Sequence, residues 1–530
     1  MVAASELPIN TNASAMQMAQ AIFGDGVTIE GASYFGSNNS SGIYSNGDSV
    51  TSGVTPSDTG VILSTGDARD FTNSSGSSNQ SNSTSSSTNA GRNSNDNLSS
   101  FNSAAGARTY DAAYLDVDFT PTGDTLTMQF VFSSEEYPEF TNSQYQDFIG
   151  VWVNGSFVDV SVGSGSVNPS NLNNSDNENL FFNNANDDYN TEMDGFTVTM
   201  TLTMNVIPNA TNTIRIGIAD VLDSSYDSNL LIAADSLQTV LIAHDDRFSL
   251  PDPNQVKTID VLSNDVGPNG STLTITHING VAVTAGSTVT LNTGQTVTLN
   301  ADGTFTLVGD NAAEDFNFTY TIDDGTNTDV AYVIVDSVPC FVRGTRILTE
   351  RGHVPVEELT LDDLVQTRDN GFQPLRWIGN RVIAAQGKHA PIRIRAGTFG
   401  AHNELWVSPL HRVLIRDSLA ELLFGEYEVL VTARDLVNDN SVTVVEGREV
   451  EYFHLLFDQH EVIYSEGLPT ESFLPGPQLA NSFEEEVAAE IYDLFPEIDP
   501  ATGLGYSPAA RRTLKPFEAQ LLCAFEAQVA

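Results

Sequence analysis

The sequence has little positive charge and almost no cysteine. Its 22 Lys and Arg residues stand against 69 Asp and Glu residues, and the formal net charge is -47. A surface of this sign repels phosphate groups, which argues strongly against binding to nucleic acid or to an anionic membrane through a basic patch. The two cysteines, Cys340 and Cys523, are too few for a disulfide framework.

Long apolar runs are missing as well. None approaches the roughly 20 residues that a membrane-spanning helix needs, so we expect no membrane span. The first residues lack a basic segment followed by an apolar stretch, so no Sec-type signal peptide is recognisable. Asn, Ser, Thr, Asp and Gly dominate, while Lys is nearly absent. This composition favours an exterior location, either secreted or at a cell surface.

Length and patterning predict a mainly β, multidomain protein, because 530 residues are too many for one core. Short alternating strands predict a β-sandwich over residues 1–244, with a type I′ hairpin at Asn154-Gly155. The tract 72–103 is almost wholly Ser, Asn and Thr, which predicts a disordered surface loop. Six or seven short strands over residues 245–337 fit an Ig-like sandwich without a disulfide.

The segment 338–530 differs in composition, since it holds 16 of the 22 Lys and Arg residues. Short strands in quick succession predict an all-β fold here, with a short helix that Ser418 caps and that runs to Phe424. Apolar periodicity predicts two further helices over residues 483–495 and 509–527. The third predicted domain is therefore all-β with a C-terminal helical extension.

Cys340 opens this third domain, where its thiol has the preceding peptide carbonyl within reach. Attack on the carbonyl of Pro339 would turn the amide into a thioester, which is an N-to-S acyl shift. His411 can protonate the leaving amine as a general acid. Ser408, three residues earlier, can hold the peptide in a distorted geometry or line an oxyanion site. Taken singly, the cysteine also fits a small buried hydrophobe and the histidine a core residue.

These motifs resemble the Hint fold shared by hedgehog autoprocessing domains and inteins, and more closely the bacterial subgroup that begins Cys-Phe-x-x-Gly-Thr. The resemblance covers about residues 339–526. It implies that Cys340 is the nucleophile and that Ser408 and His411 form the Thr-x-x-His block, with Ser in place of Thr. His460 falls near the late block whose histidine assists the second step.

The sequence departs from inteins at the end of this block. Inteins end with His-Asn before a Cys, Ser or Thr, whereas residues 467–473 here read Gly-Leu-Pro-Thr-Glu-Ser-Phe and about sixty residues follow. We therefore expect cleavage at Pro339-Cys340 rather than splicing. Water, an amine or another small nucleophile would take the thioester, and no cofactor is required.

The first domain carries a different set of candidate residues, all of them carboxylates near predicted strand ends. They are Glu135, Glu136, Asp147, Asp223 and Asp227. Adjacent carboxylates repel each other unless a cation bridges them, and hard oxygen ligands suit calcium. The same side chains also fit loop caps in an acidic protein, and paired carboxylates serve glycoside hydrolysis, although nothing here fixes the required separation. These alternatives stay open.

Two more resemblances concern the first two domains. The run Ser134-Glu135-Glu136-Tyr137-Pro138 and the stretch 60–66 resemble the bacterial choice-of-anchor L domain, over about residues 12–240. The second domain resembles the cadherin-like repeats of bacterial adhesins, through stretches such as 318–325. Both imply an exported bacterial protein with a cell-surface, carbohydrate or protein ligand. The alternative to self-cleavage is accordingly a non-enzymatic adhesin, or a calcium- or carbohydrate-binding surface protein, with an inactive Hint fold.

Overall fold

The computed structural model describes most of the chain. The described residues are 2–75, 98–141, 143–162, 165–174, 177–249, 256–268, 271–310, 316–336, 340–383, 385, 390–438, 440–474, 494–495, 506–514, 519 and 522. They form two compact units. The first comprises Met1–Asp246, Thr258–Leu307 and Phe316–Ile334, and the second comprises Arg247–Lys257, Val308–Asp315 and Val335–Ala530.

The first domain is a sandwich of two antiparallel sheets, as its alternating pattern predicted. One sheet has the order β1-β3-β4-β15-β6-β12-β11, with β13 also paired to β6, and the other has the order β2-β5-β14-β7-β8. A separate hairpin pairs β9 with β10. The strands are β1 (Ile9–Asn10), β2 (Val27–Phe35), β3 (Ser41–Tyr44), β4 (Gly60–Ser64), β5 (Thr109–Pro121), β6 (Thr125–Ser134), β7 (Phe148–Val153), β8 (Ser156–Val158), β9 (Ser161–Val162), β10 (Gly165–Ser166), β11 (Phe181–Asn183), β12 (Gly195–Thr197), β13 (Met200–Asn205), β14 (Asn212–Val221) and β15 (Ser228–Ala233).

The turn between β7 and β8 has the predicted type I′ conformation. Asn154 and Gly155 have φ values of 51° and 79°, and the two strands pair directly across the turn. The right-handed twist of the flanking strands favours a turn with positive φ at both central residues.

The described helices are short and lie in the first and third domains. They are α1 (Ala15–Ile22), α2 (Gly47–Val50), α3 (Ser99–Ala105) and α4 (Ser418–Phe424), with 3₁₀ turns at Ala68–Phe71, Glu178–Leu180, Val356–Glu358 and Ala433–Leu436. Among the described residues, none of the helices is long and apolar enough to cross a membrane.

Helix α3 corrects the prediction of a disordered tract over residues 72–103. Its Phe101 is completely buried and packs against Tyr114, Phe148 and Trp152, so a single aromatic side chain anchors the end of a polar stretch. Gly106, at φ 68°, ends the helix. Residues 76–97 of the tract lie outside the described residues.

The second domain consists of nine described strands in two sheets, with the orders β16-β24-β23-β18-β19 and β17-β22-β21-β20. The strands are β16 (Asp246–Ser249), β17 (Val256–Ile259), β18 (Thr274–Ile278), β19 (Val281–Ala282), β20 (Thr288–Thr290), β21 (Thr296–Leu299), β22 (Phe305–Val308), β23 (Phe316–Asp323) and β24 (Thr328–Asp336). The predicted Ig-like sandwich fits this arrangement.

A buried carboxylate links the first two domains within the first unit. Asp329 on β24 accepts hydrogen bonds from the backbone N–H of Ala243 (2.9 Å) and from the hydroxyl of Thr201 on β13 (3.3 Å). Burial raises the pKa of Asp329 to about 8, although its hydrogen bonds act in the opposite direction. The hydrogen bonds favour the ionised carboxylate, whereas burial, which has the larger effect, favours the protonated form.

The third domain contains two sheets, with the orders β30-β36-β25-β32-β31-β35 and β29-β28-β26-β37-β38-β33-β34, and β27 pairs with β26. The strands are β25 (Phe341–Val342), β26 (Arg346–Thr349), β27 (Gly352–Pro355), β28 (Leu364–Gln366), β29 (Phe372–Pro374), β30 (Trp377–Ile383), β31 (Ile392–Ile394), β32 (Leu405–Val407), β33 (Arg412–Arg416), β34 (Glu428–Thr432), β35 (Val442–Val444), β36 (Val450–Leu456), β37 (Val462–Ser465) and β38 (Leu468–Glu471).

Two predictions for the helices of this domain need correction. Asp417, not Ser418, caps α4, because its side chain accepts the backbone N–H of Leu419. Residues 509–514, predicted as the start of a helix, are irregular, and Thr513 forms a β-bridge with Leu430 instead. The rest of that predicted helix and the predicted helix 483–495 lie almost wholly outside the described residues.

Candidate functional site

Strand pairing brings Cys340 opposite a histidine that was not among the predicted site residues. Strand β25 lies between β36 and β32, and its register pairs Phe341 with Phe453 and Val342 with Tyr452. In an antiparallel pair the residue before Phe341 faces the residue after Phe453. These two residues are Cys340 and His454.

The thiol of Cys340 contacts the imidazole of His454, and both residues are buried. The Sγ atom lies 3.5 Å from His454 Nε2, and the two residues are 0% and 4% exposed. The cysteine packs against Ala385, Val450 and Tyr452. A base at this distance can take the proton of the thiol, and the thiolate is the nucleophilic form of cysteine.

The resemblance placed His460 near the late histidine block, and His454 was not among the predicted site residues. The alternation of side chains along β36 is the sequence pattern that could have identified His454. Side chains on a strand alternate with a period of two, so His454 lies on the same face as Tyr452. The rings of Trp377 and Phe473 flank the imidazole, with their centroids 6.5 Å and 5.9 Å from the centroid of the His454 ring.

Ser408 holds the nitrogen of the predicted scissile bond. The backbone N–H of Cys340 donates a hydrogen bond to Ser408 Oγ (2.8 Å), and the N–H of Ser408 donates one to the carbonyl oxygen of Cys340 (3.0 Å). Ser408 directly follows β32, the strand next to β25, so the sheet itself positions the hydroxyl. Pro339, the other half of the scissile bond, lies outside the described residues.

His411 lies on the same turn as Ser408, whose carbonyl oxygen accepts its backbone N–H (3.1 Å). Its ring packs against Phe341, with centroids 4.4 Å apart, and neither ring nitrogen has a hydrogen-bond partner. Burial lowers the pKa of His411 to about 4, against the opposing effect of Glu471. The imidazole is therefore uncharged at neutral pH, which suits hydrogen-bond donation rather than proton donation as an imidazolium.

His460 is bound in a separate network. Its Nδ1 accepts the backbone N–H of Ala510 (2.9 Å), and its Nε2 lies 3.2 Å from the carbonyl oxygen of Ser472 and 3.5 Å from Glu471. The accepting Nδ1 places the proton on Nε2, which then donates to Ser472. These contacts join the residue stretch before β37 and the end of β38 to the segment around Ala510.

The carboxylates predicted in the first domain gather at one end of its sandwich. Glu135, Glu136, Asp147 and Asp227 are buried and Asp223 is partly exposed. Over the part of the chain that the structure describes, no group of three or more His, Cys, Asp or Glu side chains has the spacing to hold a metal ion.

Family models match three successive parts of the chain. The choice-of-anchor L domain matches residues 8–238, the bacterial Ig domain residues 238–336 and the Hint domain residues 339–477. The predicted identities and order of the three domains are therefore confirmed. No curated protein matches the chain.

Some solved structures are similar to parts of the chain. A splice-inactive variant of the AceL NrdHF class 3 split intein is 14% identical, with 26% of this chain and 97% of the intein covered and a TM-score of 0.19. The gp41-1 intein is 11% identical, with 25% and 97% covered and a TM-score of 0.17. Extracellular domains 3–5 of Drosophila OTK are 10% identical, with 62% and 86% covered and a TM-score of 0.15.

Proposed function

We propose that the Hint domain cleaves the chain at Pro339-Cys340 through an N-to-S acyl shift. The observation that carries this proposal is a pair of contacts that Cys340 makes, one through its thiol and one through its backbone nitrogen. Its thiol lies against His454, and its backbone nitrogen is hydrogen-bonded to Ser408. An acyl shift needs a base at the sulfur and a fixed leaving nitrogen, and one residue here has both.

The reaction begins at the sulfur. His454 Nε2 takes the thiol proton, and the thiolate of Cys340 attacks the carbonyl carbon of Pro339. A C–S bond forms while the carbonyl electrons move to oxygen. When the carbonyl re-forms, the C–N bond breaks and its electron pair remains on the nitrogen of Cys340.

The leaving nitrogen then receives the proton that the thiol lost. That proton returns from His454 to the nitrogen of Cys340, so the step is balanced without a cofactor. His411, uncharged in its dry site, donates an N–H hydrogen bond to the scissile peptide as the carbonyl becomes tetrahedral. The products are a thioester at Pro339 and a free amine at Cys340.

The thioester is resolved by water, an amine or another small nucleophile. Either outcome separates residues 1–339, with their choice-of-anchor L and Ig domains, from the Hint domain. We place the protein outside a bacterial cell, as a secreted or surface protein, because its first domain belongs to a family of surface-anchored proteins and its composition is acidic and poor in Lys. Cleavage would then release the two β domains or transfer them to a nucleophile.

Intact-mass analysis of the full chain, with and without added thiol, tests the proposal. We expect fragments 1–339 and 340–530, faster with thiol, and no fragments from Cys340→Ala. Cys523→Ala is the matched control, since it removes the second cysteine and should cleave as the parent does. An intact parent chain under every thiol concentration and pH, or identical fragments from Cys340→Ala, would contradict the proposal.

A further inference from the structure

A cavity lies at the edge of the sheet β2-β5-β14-β7-β8, beside the C-terminal end of α3. Its volume is about 220 Å³, and all of the residues that line it belong to the first domain. Cavities that hold drug-sized ligands usually measure about 300–1,000 Å³, so this one suits a single small ring rather than an extended molecule. The site is independent of the proposed cleavage, because none of the residues assigned to that reaction lines it.

One wall of the cavity is aromatic. Phe148 at the start of β7 and Phe157 on β8 stack, with their ring centroids 5.8 Å apart and their planes 26° from parallel. Phe157 pairs with Trp152, and side chains alternate along a strand, so all three rings lie on the same face of the sheet. Phe157 is 41% exposed, so the wall presents aromatic surface to a ligand.

Gly150 allows these three rings to come together. It lies between Phe148 and Trp152 on the same face of β7, and a Cβ here would lie 2.4 Å from ring carbons of Trp152 and 3.0 Å from Phe148. Trp152 in turn packs against Phe157, with the ring centroids 5.6 Å apart. The two neighbouring rings therefore hold Phe157 in place before any ligand arrives.

The remaining walls carry polar groups from the adjoining loops. Gln144 and Gln146 precede β7, Asp159 follows β8, and Ser166 and Asn168 belong to β10 and to the turn after it. Amide, hydroxyl and carboxylate groups together supply both hydrogen-bond donors and acceptors. Among the described residues that line the cavity, none is Lys or Arg. A phosphate, sulfate or carboxylate ligand would therefore find no positive charge here.

Hydrogen bonds fix two of these amide side chains. Gln146 donates through Nε2 to the carbonyl oxygen of Phe140 (2.8 Å), and its Oε1 accepts the backbone N–H of Ser170 (2.7 Å). Asn168 Oδ1 accepts the hydroxyl of the same Ser170 (2.9 Å), so Nδ2 is the part of this amide that remains to donate to a ligand. A donor that is already oriented loses little conformational entropy when a ligand binds.

We propose that this cavity binds the pyranose ring of an uncharged sugar. A pyranose has an apolar face of C–H groups and a rim of hydroxyl groups, which both donate and accept hydrogen bonds. The C–H face packs on Phe157, and the hydroxyl groups bond to Asn168 and Asp159. An aromatic surface beside amide, hydroxyl and carboxylate groups matches this ligand, and the volume admits one ring.

Saturation-transfer difference NMR of the full-length Cys340→Ala chain tests the site. The probes are glucose, galactose, mannose and N-acetylglucosamine, each as the free sugar and as its methyl glycoside. We expect at least one of them to receive saturation, mainly at the C–H protons of one ring face, with a dissociation constant of about 1 mM or below. Binding of a methyl glycoside identifies the ligand as the end of a glycan chain, whereas binding of free sugars alone identifies a free monosaccharide.

Phe157→Ala should weaken sugar binding by about fivefold to tenfold, because the aromatic contact with the ring is lost, whereas Phe157→Tyr should bind as the parent does. Phe372→Ala, which changes a 48% exposed phenylalanine of the Hint domain, is the matched control. The thermal unfolding midpoint of each variant verifies that it is folded.

Tetramethylammonium chloride is the last probe, because aromatic rings beside a carboxylate also suit an organic cation. We expect it to receive no saturation. Absence of saturation in every sugar, equal affinity in Phe157→Ala and the parent, or saturation of tetramethylammonium in place of the sugars would overturn the proposal.

Discussion

In the proposed reaction, His454 acts on the sulfur of Cys340 and Ser408 on its backbone nitrogen. The sulfur has the base and the nitrogen has the hydrogen-bond partner, with Sγ to Nε2 at 3.5 Å and N to Oγ at 2.8 Å. Because Cys340 is completely buried, bulk water cannot take the thiol proton, and the imidazole is the nearest base. The rate of the acyl shift should therefore depend on His454.

Replacing His454 with Asn should slow cleavage by about 10²–10⁴-fold, the usual contribution of a general base. The appearance of fragment 1–339 by intact mass between pH 6 and pH 9 measures the effect. A higher pH should partly restore the rate of the variant, because hydroxide can replace the missing base. His353→Asn, which changes an exposed residue of β27, is the control. A rate in His454→Asn equal to that of the control would contradict this role.

An ion pair between Arg412 and the buried Glu471 holds β33 and β38 together. Glu471, at the end of β38, accepts the backbone N–H of Arg412 (2.8 Å) and its guanidinium (3.0 Å), and lies 3.5 Å from His460. Burial alone would raise the pKa of Glu471, but Arg412 and His460 lower it to about 2. A carboxyl with a lowered pKa stabilises the fold above its unfolded pKa, and this stability is lost as pH falls towards 2.

Glu471→Gln should destabilise the second unit by about 3 kcal/mol at pH 7, which is the free energy equivalent of the lowered pKa. Urea unfolding of the Cys340→Ala chain, followed by the signal of the second unit, gives the value. Glu350→Gln changes an exposed glutamate of the same unit and should have no measurable effect. A change in Glu471→Gln as small as in that control would contradict the role of the ion pair.

The sequence predicted the domain order, the mainly β folds and the turn at Asn154-Gly155, because these depend on local patterns and motifs. It did not predict the partner of the thiol. The contact between Cys340 and His454 joins residues 114 positions apart and depends on the register of β25 against β36. It also missed α3, since one buried aromatic, Phe101, outweighs the polar residues around it.

The buried titratable groups of the two units make their stabilities depend on pH in opposite directions. The first unit buries carboxyls with raised pKa values, including Glu136 at about 9 and Asp147 and Asp329 at about 8. Such groups cost stability when ionised, so the unit gains stability as pH falls from about 8 towards 4. The second unit buries His411, whose pKa is lowered to about 4. A histidine of this kind costs stability once pH falls below about 6.5.

Calorimetry of the full-length Cys340→Ala chain in calcium-free buffer should therefore resolve two unfolding transitions. As the pH is lowered, their midpoints should shift in opposite directions. Between pH 7 and pH 5 the transition of the first unit should rise, and His411 alone should cost the second unit about 2 kcal/mol. His411→Gln should reduce this loss, whereas the exposed His353→Gln should leave it unchanged. Two transitions that shift in parallel would contradict the assignment.

We propose that the Hint domain breaks the single bond that joins it to the two β domains. Trapping the thioester tests that account most directly. The purified full-length chain is incubated with hydroxylamine, and the fragments are weighed and sequenced. We predict that fragment 1–339 ends in a hydroxamate at Pro339 and that its counterpart begins with the free amine of Cys340. A fragment 1–339 that ends only in a carboxylate despite excess hydroxylamine, or a chain that stays intact, would contradict the account.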